Sequence, residues 1–175
     1  QAKKAIASGL QEKIEVLDLR EVTTTQTATF TVNREATFNN FVGFYQITDE
    51  EGGIDTNGDG TADILVGEAG YAEAAVQNRI TSIELNVANQ ATASFTGEFE
   101  AGAIIVPFLM VNGNPDAFED IFFPFLGANS DGVDHVMMLG DNIFGFEDLN
   151  GGGDGDFNDT IVKVDFAIEV ANVST

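Results

Sequence analysis

The stretch VKVDFAIEV, residues 162–170, sets Val162, Val164, Phe166, Ile168 and Val170 against Lys163, Asp165, Ala167 and Glu169. Successive side chains of an extended chain point to opposite faces, so this alternation predicts a strand with one buried face and one wet face. The same pattern recurs upstream. Ala28, Phe30 and Val32 alternate with Thr27, Thr29, Thr31 and Asn33, and Ala91, Ala93, Phe95, Gly97 and Phe99 alternate with Thr92, Ser94, Thr96 and Glu98.

Other segments read differently. FVGFYQIT (41–48) is apolar on both faces, which predicts a central strand. AIIVPFLMV (103–111) and IFFPFL (121–126) are short apolar runs, each with a proline, which places them at sheet edges or bulges. KIEVLDLREV (13–22), Ile83–Val87, Ile64–Val66 and Val133–Leu139 are further expected strands. YAEAAVQNRI (71–80) is the best helix candidate, with Ala72, Ala75, Val76 and Ile80 on one face, and residues 1–12 carry a weaker helical spacing. The expectation is all-β: a two-layer, jelly-roll-like β-sandwich with one short helix near 71–80. The 175 residues are read as a single domain, excised from a larger secreted protein because the chain starts at Gln1 with neither a methionine nor a visible signal peptide.

The charge balance is lopsided. Seven basic residues face 29 acidic ones, for a formal net charge of −22. Past Arg34 the only cations are Arg79 and Lys163. Phosphates would be repelled, so nucleic acid and anionic membranes are not expected partners. No apolar run is long enough for membrane insertion as a helix. With no cysteine, disulfides and thiolate metal sites are excluded.

The acids cluster in two places. The first is Asp55-Thr-Asn57-Gly-Asp59-Gly60-Thr61-Ala-Asp63. Oxygen ligands at positions 1, 3 and 5, a glycine at 6, a backbone carbonyl at 7 and a carboxylate at 9 suit a calcium ion. Position 12 is Val66 where an EF-hand needs a bidentate Glu, so this is no EF-hand. It resembles the short DxNxDGxxD loops of dockerins and β-propeller domains, in a hairpin setting, with Glu68, Asp49, Glu50 and Glu51 as candidate completing ligands. The competing reading is a solvated Asn-Gly/Asp-Gly turn.

The second cluster runs from Asp141 to Asp159 and holds six carboxylates and three consecutive glycines, Gly151 to Gly153. Crowded carboxylates with no cation nearby repel, and a divalent ion relieves them. Its GGGDGDFND core, residues 151–159, looks like the glycine-rich repeat of calcium β-rolls. In register, however, Phe157 takes the place of the Asp, and the segment occurs once. A smaller group, Asn129, Asp131, Asp134 and His135, reads chiefly as a polar turn, with His135 packing or hydrogen-bonding.

FGFEDLNGGGDGDFNDTIVKVDF (144–166) resembles the C-terminal signature of the bacterial family numbered 4114 among domains of unknown function. FTVNREATFNNFVGFYQI, GEAGYAEAAV, AGAIIVPFLMVNG and FLGANSDGVDHVMMLGDN resemble the same family, so the likeness runs from about Glu12 to Val170. It implies a calcium-associated extracellular or cell-surface module. By the same resemblance Glu147, Asp148, Asp154, Asp156, Asn158 and Asp159 are implied calcium ligands.

An enzyme is not expected. There is one histidine, no cysteine, no Gly-x-Ser-x-Gly context, and no Trp with only two Tyr to build sugar platforms. The remaining alternatives are a structural or adhesive calcium module, contacting neighbouring domains of its own chain, and a lectin-like module that binds surface glycans through calcium.

Overall fold

The computed structural model describes residues 17–20, 23–34, 40–49, 51–81, 83–86, 92–100, 102–111, 115–116, 120–129, 135–140, 143–147 and 160–166. The helical spacing of residues 1–12 lies outside them.

Among the described residues, nine strands form two antiparallel sheets. The first sheet joins β1 (Leu17–Asp18), β3 (Phe41–Ile47), β5 (Ile104–Val111) and β6 (Asp120–Phe122), with β5 in the middle. The second runs β4 (Thr92–Phe99), β2 (Gln26–Arg34), β9 (Thr160–Phe166), β8 (Ile143–Phe146), β7 (Val136–Gly140). The fold is the expected all-β sandwich.

Side-chain parity sorts the core. Val42, Phe44, Ile105, Leu109 and Phe122 of the first sheet meet Ala28, Phe30, Val32, Phe99, Phe144, Phe146, Val162 and Val164 of the second. Phe30, Phe44, Phe99 and Phe144 form the aromatic centre, with ring centroids 5.5–6.1 Å apart in tilted or edge-on pairs, the geometry aromatic quadrupoles prefer. The opposite parity of the first sheet, with Phe41, Tyr45, Ile47, Ile104, Val106, Phe108 and Met110, is buried too. What covers it is α1 (Tyr71–Gln77), through Tyr71, Ala74, Ala75 and Val76, together with Ile54, Phe123 and Phe125. The first sheet is therefore a middle layer, and its strands are apolar on both faces. The second sheet turns its outer face to water, and alternation survives there alone.

Two strand expectations need correction. FVGFYQIT was read as central, yet β3 pairs with β5 on one side only; its other side meets isolated bridges, Val42↔Leu85 and Tyr45↔Arg79. Of the expected strand through Ile83, Leu85 and Val87, the described residues 83–86 supply one of those bridges, at Leu85, and Val87 lies outside them. Conversely, proline was read as an edge mark, yet Pro107 lies mid-strand in the central β5. The register explains this. The Val42 backbone bonds to Leu85 and the Phe44 carbonyl accepts from Ile80, both away from β5, so Pro107 opposite Phe44 is a non-hydrogen-bonded pair. Its nitrogen faces the interval between β1, which pairs at Ile104 and Ile105, and β6, which pairs from Leu109 on. No ladder bond is lost. Extending the β6 register past Phe122 would bring Pro124 opposite Pro107, which accounts for β6 stopping there.

Close approach of β3 and β5 depends on a glycine. A Cβ on Gly43 would stand 2.5 Å from Cζ of Phe108, whose ring lies over the bare backbone of its cross-strand partner.

Candidate metal centre

Beyond β3 the chain turns through Thr48, whose N–H donates to the Gly53 carbonyl, into a two-residue ladder. The Ile54 N–H donates to the Ile64 carbonyl at 2.9 Å, and the Asp63 N–H donates to the Ile54 carbonyl at 2.8 Å. Buried Ile54 anchors this base in the core layer under α1. The expected hairpin setting of the first acidic loop is thus observed, with a single bridge, Ile54↔Ile64, in place of a strand over Ile64–Val66.

Within the loop the chain wraps around Asp55. Its Oδ1 accepts the N–H groups of Asn57, Gly58 and Asp59 at 3.1, 2.7 and 3.3 Å, and its Oδ2 accepts that of Gly60 at 2.6 Å. Gly58 and Gly60 have φ of +84° and +87°, the left-handed region where a side chain is strained. Hence the glycines at loop positions 4 and 6. The Gly60 N–H above all holds the Asp55 carboxyl below its ordinary range; desolvation, next in size, opposes it, and the N–H groups of Gly58, Asn57 and Asp59 add to the lowering.

Asp63 closes the ring from the other side. Its Oδ2 accepts the N–H and Oγ1–H of Thr56 at 2.8 and 3.1 Å, and its Oδ1 accepts Nδ2 of Asn57 at 3.3 Å. The Asn57 Oδ1 accepts the Asp59 N–H at 3.0 Å, and Asp59 Oδ1 accepts the Thr61 N–H at 2.9 Å. The outcome is a converging set: one carboxylate oxygen from each of Asp55, Asp59 and Asp63 lies within 4.8 Å of the others. Asn57 and Thr61 are in the same turn. Glu68 and Asp49 are engaged elsewhere, accepting the N–H of Leu65 and of Glu51 respectively. Glu50 lies outside the described residues.

The donor set decides which metal fits. Carboxylates and an amide, with neither thiolate nor imidazole among them, suit a hard cation with oxygen ligands. Asp55 Oδ2, Asp59 Oδ1, Asp63 Oδ1 and Asn57 Oδ1 each accept one of these hydrogen bonds and keep a further lone pair for a cation.

The second acidic segment joins β8 to β9, and its base is also a hairpin, closed by Phe146↔Thr160. Asp148, Asp154, Asp156, Asn158 and Asp159 lie outside the described residues. Glu147 is described and is 1% exposed. Its N–H donates to the His135 carbonyl at 2.9 Å, and its own carbonyl lies 2.7 Å from His135 Nδ1. The His135 ring stacks on Phe122 with centroids 3.5 Å apart, which bears out the packing and hydrogen-bonding reading of the histidine. Thr160, Asn40 and Arg34 are buried at the same end, with Asn40 Nδ2 donating to Thr160 Oγ1. Asn40 precedes β3, whereas the Asp55 loop follows it. The bases of the two acidic segments therefore sit at opposite ends of β3, whose seven residues span roughly 20 Å.

One polar device escaped the sequence reading. Tyr45 and Tyr71 touch hydroxyl to hydroxyl at 2.8 Å, and Tyr71 donates to the Gly52 carbonyl at 2.6 Å, tying β3 and α1 to the segment that leads into the Asp55 loop. Burial pushes both phenols up, so both stay neutral donors. Asn129 clasps Phe123, accepting its N–H at 2.7 Å and donating to its carbonyl at 3.0 Å, so this residue serves a turn, as the plainer reading held. Asp131 and Asp134 lie outside the described residues. Nothing in the spacing of Tyr45 and Tyr71 marked their tie, because 26 residues separate the two.

The fold and loop together define an all-β sandwich module with a hairpin-borne carboxylate cluster. Residues 99–167, from the end of β4 through β9, match the family model described as a domain of unknown function, DUF4114. The likeness to that family is shown over this stretch, a shorter one than the sequence reading gave it. No curated protein and no solved structure matches the chain.

Proposed function

We propose that this chain is a calcium-binding module of an extracellular or cell-surface protein, with a structural or adhesive role and no catalytic one. The observation that carries the reading is the Asp55–Asp63 loop, in which three carboxylate oxygens converge on a backbone already folded around Asp55. Such oxygens repel one another, and a divalent cation among them turns the repulsion into binding energy. The second segment, entered from buried Glu147 and left at buried Thr160, is the other candidate site, with ligands the family resemblance supplies. Ions at opposite ends of β3 would stiffen both ends of the sandwich. His135, the single histidine, is fully buried under Phe122, which favours a packing role over an acid–base one.

Thermal unfolding tests this reading. A ligand that binds only the folded state adds RT ln(1 + [L]/Kd), about 2.7 kcal/mol at 100 times Kd. The protein should melt several degrees higher in excess calcium than in EGTA. Superimposed melting curves would count against a calcium module.

A second reading is favoured by one feature. A hollow of about 350 Å³ adjoins the loop, lined by Arg20, Gln46, Thr48, Asp55 and Asn78 and by the backbone of Gly58 and Gly60. Its amides and hydroxyl suit sugar hydroxyls, so a lectin-like, calcium-dependent glycan site belongs here. A glycan array read in calcium and in EGTA separates the two roles: calcium-dependent glycan signals favour the lectin, and their absence the structural module.

A further inference from the structure

Asn57 precedes Gly58 in the exposed part of the first acidic loop. An asparagine followed by glycine is the pair most prone to spontaneous ring closure, because no Cβ shields the glycine nitrogen. That nitrogen attacks Cγ of the asparagine, the Cγ–Nδ2 bond breaks, and Nδ2 leaves as ammonia with the proton the glycine nitrogen gives up. Water then opens the succinimide, at Cγ to give aspartate or at the backbone carbonyl to give isoaspartate. The sum is one amide and one water converted to one acid and one ammonia.

In this loop every participant is held. The Gly58 N–H donates to Asp55 Oδ1 at 2.7 Å, and a charged acceptor opposes loss of that proton. The Asn57 amide is fixed at both ends, Oδ1 by the Asp59 N–H and Nδ2 by Asp63 Oδ1. We propose that Asn57 is a self-modification site, and that the Asp55 carboxylate is the latch on the Gly58 nitrogen that sets its rate. The two products have opposite consequences. Aspartate at position 57 adds a fourth carboxylate beside Asp55, Asp59 and Asp63. Isoaspartate lengthens the backbone by one carbon between residues 57 and 58, which breaks the spacing that brings the N–H groups of Gly58, Asp59 and Gly60 onto Asp55.

The test is run in EGTA, so that it stands apart from the calcium reading. Wild type, Asp55→Ala and Asp59→Ala are aged at mildly alkaline pH, and amide-to-acid conversion at residue 57 is followed by peptide mass spectrometry. Asp59→Ala is the control for loop order, because the bond to Asn57 Oδ1 uses the backbone of residue 59. Loss of a charge-assisted hydrogen bond should raise the Asn57 rate about tenfold or more in Asp55→Ala. Asp59→Ala should stay near the wild-type rate. Circular dichroism of each variant reports any global unfolding. If Asp55→Ala has lost its fold, Asp55→Asn repeats the comparison with size kept and charge removed. Equal Asn57 rates in wild type and the folded Asp55 variant overturn the proposal. So does an equal acceleration in Asp59→Ala.

Discussion

Asp55 illustrates how one side chain organises a turn before any ion is considered. Four backbone N–H groups converge on its two oxygens, and they stabilise the charged form over the neutral one. A carboxyl whose folded pKa is depressed contributes stability that is present above its unfolded value, near 3.8, and is lost as pH falls through the lower folded value. The amide resonances of Gly58 and Gly60 should therefore hold their positions from neutral pH down through that ordinary value and move only below it. Movement centred at or above it would contradict the wrap. Tyr71 gives a second expectation. Tyr71→Phe strips the donor from the buried Gly52 carbonyl and the acceptor from the Tyr45 hydroxyl, at a cost of about 1–3 kcal/mol in denaturant unfolding. A change below a few tenths would mean water replaces the hydroxyl freely. The Asp55 turn was legible in the sequence because its chemistry is local, within nine residues. The Tyr45–Tyr71 tie was not, because 26 residues separate its partners.

Among the elements, legibility followed solvent. β2, β4 and β9 of the second sheet keep one wet face, and their alternation announced them. β3 and β5 are covered on both faces, so their composition told of burial but not of position in the sheet; β5 turned out to be central and β3 flanking. Pro107 misled for the same reason, since only the register reveals that its nitrogen faces a gap. The two acidic segments differ as elements as well. The Asp55 loop hangs from one bridge, Ile54↔Ile64, whereas the 147–160 segment joins two strands of the five-stranded sheet. Disorder in the second would spread along β8 and β9, while the first can fray locally. In saturating calcium, Asp156→Asn or Asp159→Asn should lower the unfolding midpoint more than Asp59→Asn does. Denaturant melts of the three variants decide it, and Asp59→Asn as the most damaging change would reverse the order of the two sites.

At the scale of the whole molecule, three layers leave a strongly acidic surface, with 29 acids against seven bases. That field attracts cations generally, so calcium binding must be shown to belong to the loops and not to the surface charge. Calorimetric titration of the calcium-free protein with calcium at physiological ionic strength makes the distinction, since diffuse attraction is screened there while built sites are not. The account predicts saturable binding tighter than millimolar, with one component lost when Asp55 and Asp59 are both changed to Asn. Heats that never saturate, or a wild-type isotherm that the double variant reproduces, would contradict it.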